Sequence, residues 1–104
     1  MKILISNSAF SDFEGIKEHY TDQGVPDIGV DFISAIFAHI ETLLDHPKMG
    51  RSVPEFNDDS IREIIHPPFR VVYLLEEKTI HIARVWRSER LLKLQEADLV
   101  SPKS

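Results

Sequence analysis

The 104-residue chain has no cysteine, one tryptophan and no apolar run near the roughly 20 residues that a membrane span requires. Without cysteine there can be no disulfide, no thiolate metal site and no thiol nucleophile. Met1-Lys2-Ile3-Leu4-Ile5 turns polar at Ser6-Asn7-Ser8, too early for the apolar core of a signal peptide. No internal repeat or low-complexity tract is present. The expectation is a soluble, cytoplasmic protein with no membrane association. Apolar residues make up 42% of the chain, too many for a disordered one. At this length the expectation is one domain over residues 1–104, with a flexible tail from about 99 to 104.

Positive charge is scarce in the first half. Residues 1–50 carry three lysines and no arginine against eight acidic residues, and the whole chain has a net charge of −5. Residues 51–94 hold eight basic and seven acidic residues. An acidic protein is a poor general ligand for nucleic acid, whose affinity comes mainly from phosphate neutralisation. A local basic patch stays open.

From the N-terminus, Ile3-Leu4-Ile5 reads as a short strand paired with a later one. Ser8 is a candidate N-cap for a helix from about Ala9 to Asp22, with Phe10, Phe13, Ile16 and Tyr20 at helical spacing and Asp12 and Glu14 near its start. Gln23-Gly24 ends it, and Pro26-Asp27 opens a second helix whose apolar stripe includes Phe32, Ile36, Ile40, Leu43 and Leu44. Asp45-His46-Pro47 closes that helix. So short a link makes the two helices an antiparallel hairpin. Lys48–Asp59 reads as a loop, with Gly50 at a tight turn and Val53-Pro54-Glu55-Phe56 laid extended across the core.

Three runs follow: Ile61–His66, Phe69–Leu75 and Thr79–Arg90. They are rich in β-branched and aromatic residues and are separated by Pro67-Pro68 and by Glu76-Glu77-Lys78. Links this short join antiparallel neighbours, since a parallel crossover needs a dozen or more residues. The fold class is therefore α+β: an N-terminal strand and an antiparallel helix hairpin packed on an antiparallel β-sheet meander. Both alternating sets of Phe69–Leu75 are apolar, which makes that strand central and buried on both faces. On the last strand, strict alternation puts Ile80, Ile82, Arg84 and Trp86 on one side and His81, Ala83, Val85 and Arg87 on the other. Beyond Arg90, Leu91–Glu96 reads as a further helical turn or a strand extension.

The meander carries arginines at 62, 70, 84, 87 and 90. A guanidinium presents a planar fork of donors suited to phosphate or carboxylate. Arg70 also lies where it can pair with Glu63 across the strands, and Trp86 reads as core or interface filler. His39 and His46, seven apart on one helix face, lack a third ligand, so no metal or cofactor is expected.

Four stretches taken together resemble the successive signatures of the RelE/ParE toxin superfamily of bacterial type II toxin–antitoxin systems. They are Gly50-Arg51-Ser52-Val53-Pro54-Glu55-Phe56, Arg62-Glu63-Ile64, Phe69-Arg70-Val71-Val72-Tyr73, and Arg84-Val85-Trp86 through Arg90. The order of helix hairpin and meander is similar too. Each motif alone is weak; the specificity lies in four of them in this order and spacing. The resemblance implies a toxin domain held inactive by a cognate antitoxin whose extended C-terminal segment wraps around it. Contact with operator DNA would come only through that antitoxin. The arginine of the family's aromatic-Arg-x-x-Tyr strand falls on Arg70, and the one closing the last-strand motif falls on Arg90. Arg87-Ser88-Glu89-Arg90 departs from the His-Gly-x-Arg that ParE-like members carry there.

Two activities occur in the superfamily: inhibition of DNA gyrase by ParE-like members and ribosome-dependent cleavage of mRNA by RelE-like members. Ribonuclease chemistry needs a base for the 2′-hydroxyl, an acid for the leaving oxygen and cations on the phosphate. RelE-like nucleases use lysines on the strand that is here Ile61–His66, and a late tyrosine. This chain has neither at those places. The resemblance thus points to a ParE-like gyrase inhibitor, with Arg62, Arg70, Arg84, Trp86, Arg87 and Arg90 as candidate contacts to target or antitoxin. The alternative is a nuclease in which Arg70, Arg87 and Arg90 hold the phosphate and Glu63 works with His66 or His81.

Overall fold

The computed structural model describes residues 1–88. Lys2–Ile5 forms strand β1 and runs directly into helix α1 (Asn7–Asp22). The cap is Ser6, not Ser8: its hydroxyl oxygen accepts from the Ala9 amide at 3.0 Å and donates to the Ala83 carbonyl at 2.8 Å. One side chain thus satisfies an orphan helix amide and ties the helix start to the sheet. Gly24, at φ 76°, takes the left-handed position after the last turn. Helix α2 (Pro26–Glu41) starts on its proline and is followed by a 3-10 turn, Thr42–Leu44. Among the described residues no helix is long and apolar enough to cross a membrane.

Three further strands form the meander: β3 (Ile61–His66), β4 (Phe69–Leu75) and β5 (Thr79–Arg87). The two residues Arg51–Ser52 make β2 on the outer edge of β3. The sheet order is β1-β5-β4-β3-β2. The meander is antiparallel as its short links require, but β1 lies parallel to β5, so the sheet is mixed. The long path between β1 and β5, which includes both helices, permits the parallel pairing.

The helices cover one face of the sheet. Phe13, Ile16, Ile36 and Ile40 meet Ile64, Val71, Tyr73, Ile80, Ile82 and Val85 in one buried cluster. Phe13 stacks on Phe37 between the two helices at 4.6 Å, and Tyr20, Phe32 and Phe69 form a chain of rings from the helices to β4. β4 is buried on both sides from Phe69 to Tyr73, as its apolar sequence implies.

Strict alternation fails on β5. Val72 pairs with Arg84 and Tyr73 with Ile82, which leaves Ala83 as an extra residue in a β-bulge. The bulge reverses the facing of everything after it. Val85 joins Ile80 and Ile82 under the helices, while Trp86 packs with Val53, Ile61 and Val72 on the opposite face. That second face is itself partly covered. Val53–Phe56 is a turn closed by Phe56 N–H donating to the Val53 carbonyl, not an extended segment, and it seats the buried Val53 and half-buried Phe56 there. Gly50 is also needed for a different reason from the one the sequence suggests. Its φ is not positive, but a Cβ would lie 2.5 Å from the Tyr73 hydroxyl and 2.6 Å from the Glu63 carbonyl.

Candidate functional site

Glu63 sits on β3 opposite Val72 of β4 and Arg51 of β2, on the face away from the helices. Its side chain has no solvent exposure. Arg70, one tenth exposed, donates to Glu63 Oε2 through Nε at 2.7 Å and through Nη2. Arg51 donates to Oε1 through Nε at 2.9 Å, with Nη2 at 2.8 Å. Both carboxylate oxygens are therefore taken by guanidinium groups, each arginine directing two nitrogens at one oxygen in charge-assisted bonds. Glu55, from the turn over this face, lies 3.5 Å from Arg70 Nη1. Two arginines and two glutamates compensate one another, as a buried charge must be.

Trp86 is the register partner of Arg70 on β5. The Arg84 guanidinium lies 4.4 Å from the Trp86 ring centroid and makes a two-point ion pair with Asp12 of α1, at 2.8 and 2.9 Å. Asp12 also accepts from the Val85 amide, so it clamps α1 to the end of the bulge. Arg87 sits 5.7 Å from the Phe69 ring centroid. Of the expected residues Arg70 thus meets Glu63 directly, Arg84 and Trp86 lie on the same face of β5, and Arg87 lies at the end of that strand.

Arg62 does not join them. It pairs in register with Tyr73 and donates to the Gly50 carbonyl at 2.8 Å, on the opposite side from Glu63. There the Tyr73 hydroxyl donates to the Pro47 carbonyl and accepts from the Gly50 amide, fixing the loop that precedes β2. Burial raises the Tyr73 pKa above its ordinary value, against smaller opposing effects of the Gly50 amide and the Arg62 charge. Arg90, the expected tail and Leu91–Glu96 lie outside the described residues.

The family model described as the ParE toxin of the type II toxin–antitoxin system, parDE, matches residues 3–92. The chain belongs to the ParE toxin family. A search among curated proteins finds no match for this ParE-family chain. Its fold is similar to a solved structure titled "Chromosomal ParDE TA system from P. aeruginosa", with a TM-score of 0.72 and 22% identity, over 86% of this chain and 97% of that one. At that identity the likeness speaks for the fold.

Sequence reasoning placed the Arg70–Glu63 pair across the strands of this ParE-family toxin. It missed Arg51, Glu55 and Asp12 as its neighbours' partners. Arg51 was legible as part of a motif, but its contact depends on β2, a strand too short to leave a pattern. Of the two histidines considered as nuclease partners for Glu63, neither contacts it. His81 Nε2 pairs with Glu76 at 2.8 Å, and His66 Nδ1 meets His39 Nδ1 at 3.1 Å. Burial, and then the neighbouring His66, lowers the His39 pKa. At the turn before β3 the Ser60 hydroxyl and amide both donate to Asp58, which lowers that carboxyl's pKa.

Proposed function

We propose that this toxin arrests growth by binding and inhibiting DNA gyrase, acts in the cytoplasm, and is neutralised by a cognate antitoxin through an extended C-terminal segment. Membership in the ParE toxin family supplies the toxin–antitoxin setting, and gyrase inhibition is typical of that family. The observation that carries the choice of binding over RNA cleavage is the state of Glu63. A general base must reach the proton it abstracts. Glu63 is fully buried, and both its oxygens already accept from Arg51 and Arg70. Arg70, the cation a nuclease reading would place on the scissile phosphate, is committed to Glu63. The absence of lysine on β3 points the same way.

In this reading Arg70 and Glu63 shape the face, and Arg84, Trp86, Arg87 and Arg90 are the candidate contacts to gyrase or antitoxin. Arg62 holds the loop before β2 in place. Induced expression in a bacterial host tests it, with growth, plasmid supercoiling and message integrity followed together. Arrest with disturbed supercoiling and intact message is the expected outcome. Arrest with normal topology and messages cut within codons would replace this reading by the RelE-like one.

A further inference from the structure

Helix α2 and strand β3 bring two histidines to one place. His39 lies in the last turn of α2, and His66 is the last residue of β3, two positions beyond the buried Ile64 and opposite Phe69. Ile64 and Phe69 both belong to the helix-side core, so this row of β3 points at the helices and carries His66 toward α2. The two rings approach through their Nδ1 atoms, 3.1 Å apart, with centroids 5.3 Å apart and planes tilted by 56°. Both residues are half-buried, so that an ion and water can reach them.

The geometry points to a binding site for a late first-row divalent cation, of the Zn²⁺ or Ni²⁺ kind, held between His39 Nδ1 and His66 Nδ1. Neutral imidazole suits these ions, whereas Mg²⁺ and Ca²⁺ prefer oxygen. With metal–nitrogen bonds of about 2.0–2.1 Å, nitrogens 3.1 Å apart subtend roughly 100° at the ion, between square and tetrahedral coordination. Among the described residues no third His, Cys, Asp or Glu completes a cluster, so water fills the remaining positions and the site is weaker than a structural zinc site.

Without metal, one ring donates its Nδ1 proton to the other. Binding requires both Nδ1 lone pairs, so the donor ring carries its proton on Nε2 instead. No proton is gained or lost and the ion keeps its charge. The consequence is a cross-link between the end of α2 and the end of β3, where without the ion the His39–His66 hydrogen bond and packing join them.

The test uses the full chain after chelator treatment and dialysis, with Zn²⁺ alone and then Ni²⁺ alone added in a calorimeter. The histidine ring nitrogens are followed by NMR during the Zn²⁺ titration. One ion should bind per chain, with both His39 and His66 found in the Nε2–H tautomer. Loss of an outer-shell partner already costs a metal site about 10–100-fold, so H39Q and H66Q should each weaken binding by at least about tenfold. H46Q, on the same stretch of chain, should leave it unchanged. The inference is overturned if no ring signal shifts at millimolar Zn²⁺, if binding survives in both single variants, or if H46Q abolishes it. Were a variant to unfold, the ring-nitrogen spectrum of the wild type decides alone.

Discussion

Glu63 is a carboxylate with no route to solvent, and its two arginine partners are not equivalent. Arg70 is nearly as buried as Glu63, whereas the Arg51 side chain is 64% exposed. Removing one member of a buried pair leaves an uncompensated charge and typically costs about 3–5 kcal/mol, while an exposed partner contributes about 0–1 kcal/mol. Chemical denaturation should therefore find Arg70→Ala strongly destabilising and Arg51→Ala nearly neutral. Replacing the buried pair together, as Glu63→Leu with Arg70→Met, should recover most of the loss. Equal costs for the two arginines would mean that burial does not govern this cluster. Tyr73 gives a pH signature of its own. Its pKa is raised by burial, so the folded state holds the phenolic proton longer than the unfolded chain does. This contribution to stability is complete below the ordinary tyrosine value near 10 and is lost as pH rises through the folded value. Unfolding measured at rising alkaline pH should show the loss in wild type and a smaller one in Tyr73→Phe.

At the scale of elements, one inserted residue decides where the arginines point. The residue types gave β5 clearly as a strand, but side-chain parity along it depends on Ala83, which has no register partner. Nothing in Ile82-Ala83-Arg84 marks a bulge, because alanine is as acceptable in a regular strand as in an irregular one. Parity read from sequence is therefore right up to Ile82 and reversed from Arg84 onward. Deleting Ala83 would restore strict alternation and leave Ile82 opposite Tyr73 and Arg84 opposite Val72, so Arg84 and Trp86 stay on the second face and Val85 stays under the helices. That variant should keep a cooperative unfolding transition, with Trp86 still shielded among Val53, Ile61 and Val72; a Trp86 fluorescence spectrum shifted to that of an exposed indole would contradict the facing assigned here. The helix hairpin, by contrast, was legible almost throughout, because its apolar stripe, Gly24 and Pro26 act locally. The cap was misplaced, since Ser6 and not Ser8 accepts from the Ala9 amide and is held by Ala83, and so was the end of the second helix, which stops at Glu41 and gives way to the 3-10 turn Thr42–Leu44. Gly50 shows the same limit. Its need is a close approach of Tyr73 and the Glu63 carbonyl from distant parts of the chain. Gly50→Ala should cost about 1–3 kcal/mol in denaturant unfolding, as overpacking does.

For the whole molecule, the fold class and the order of elements could be read from the sequence, because antiparallel links and helical periodicity are local. The state of the candidate site could not. Whether five arginines form a phosphate cradle or are neutralised one by one depends on sheet register and on the turn that crosses the second face. Here Arg70 is committed to Glu63, Arg84 to Asp12 and the Trp86 face, and Arg62 to the loop carbonyl of Gly50. That arrangement suits a surface that recognises a protein partner better than one that activates a ribose hydroxyl. The most direct test is to add the purified full-length protein to DNA gyrase with relaxed plasmid and ATP, and in parallel to a translating extract with a defined message. Loss of supercoiling with the message left whole is the result the account predicts. Normal supercoiling with cleavage inside codons would contradict it.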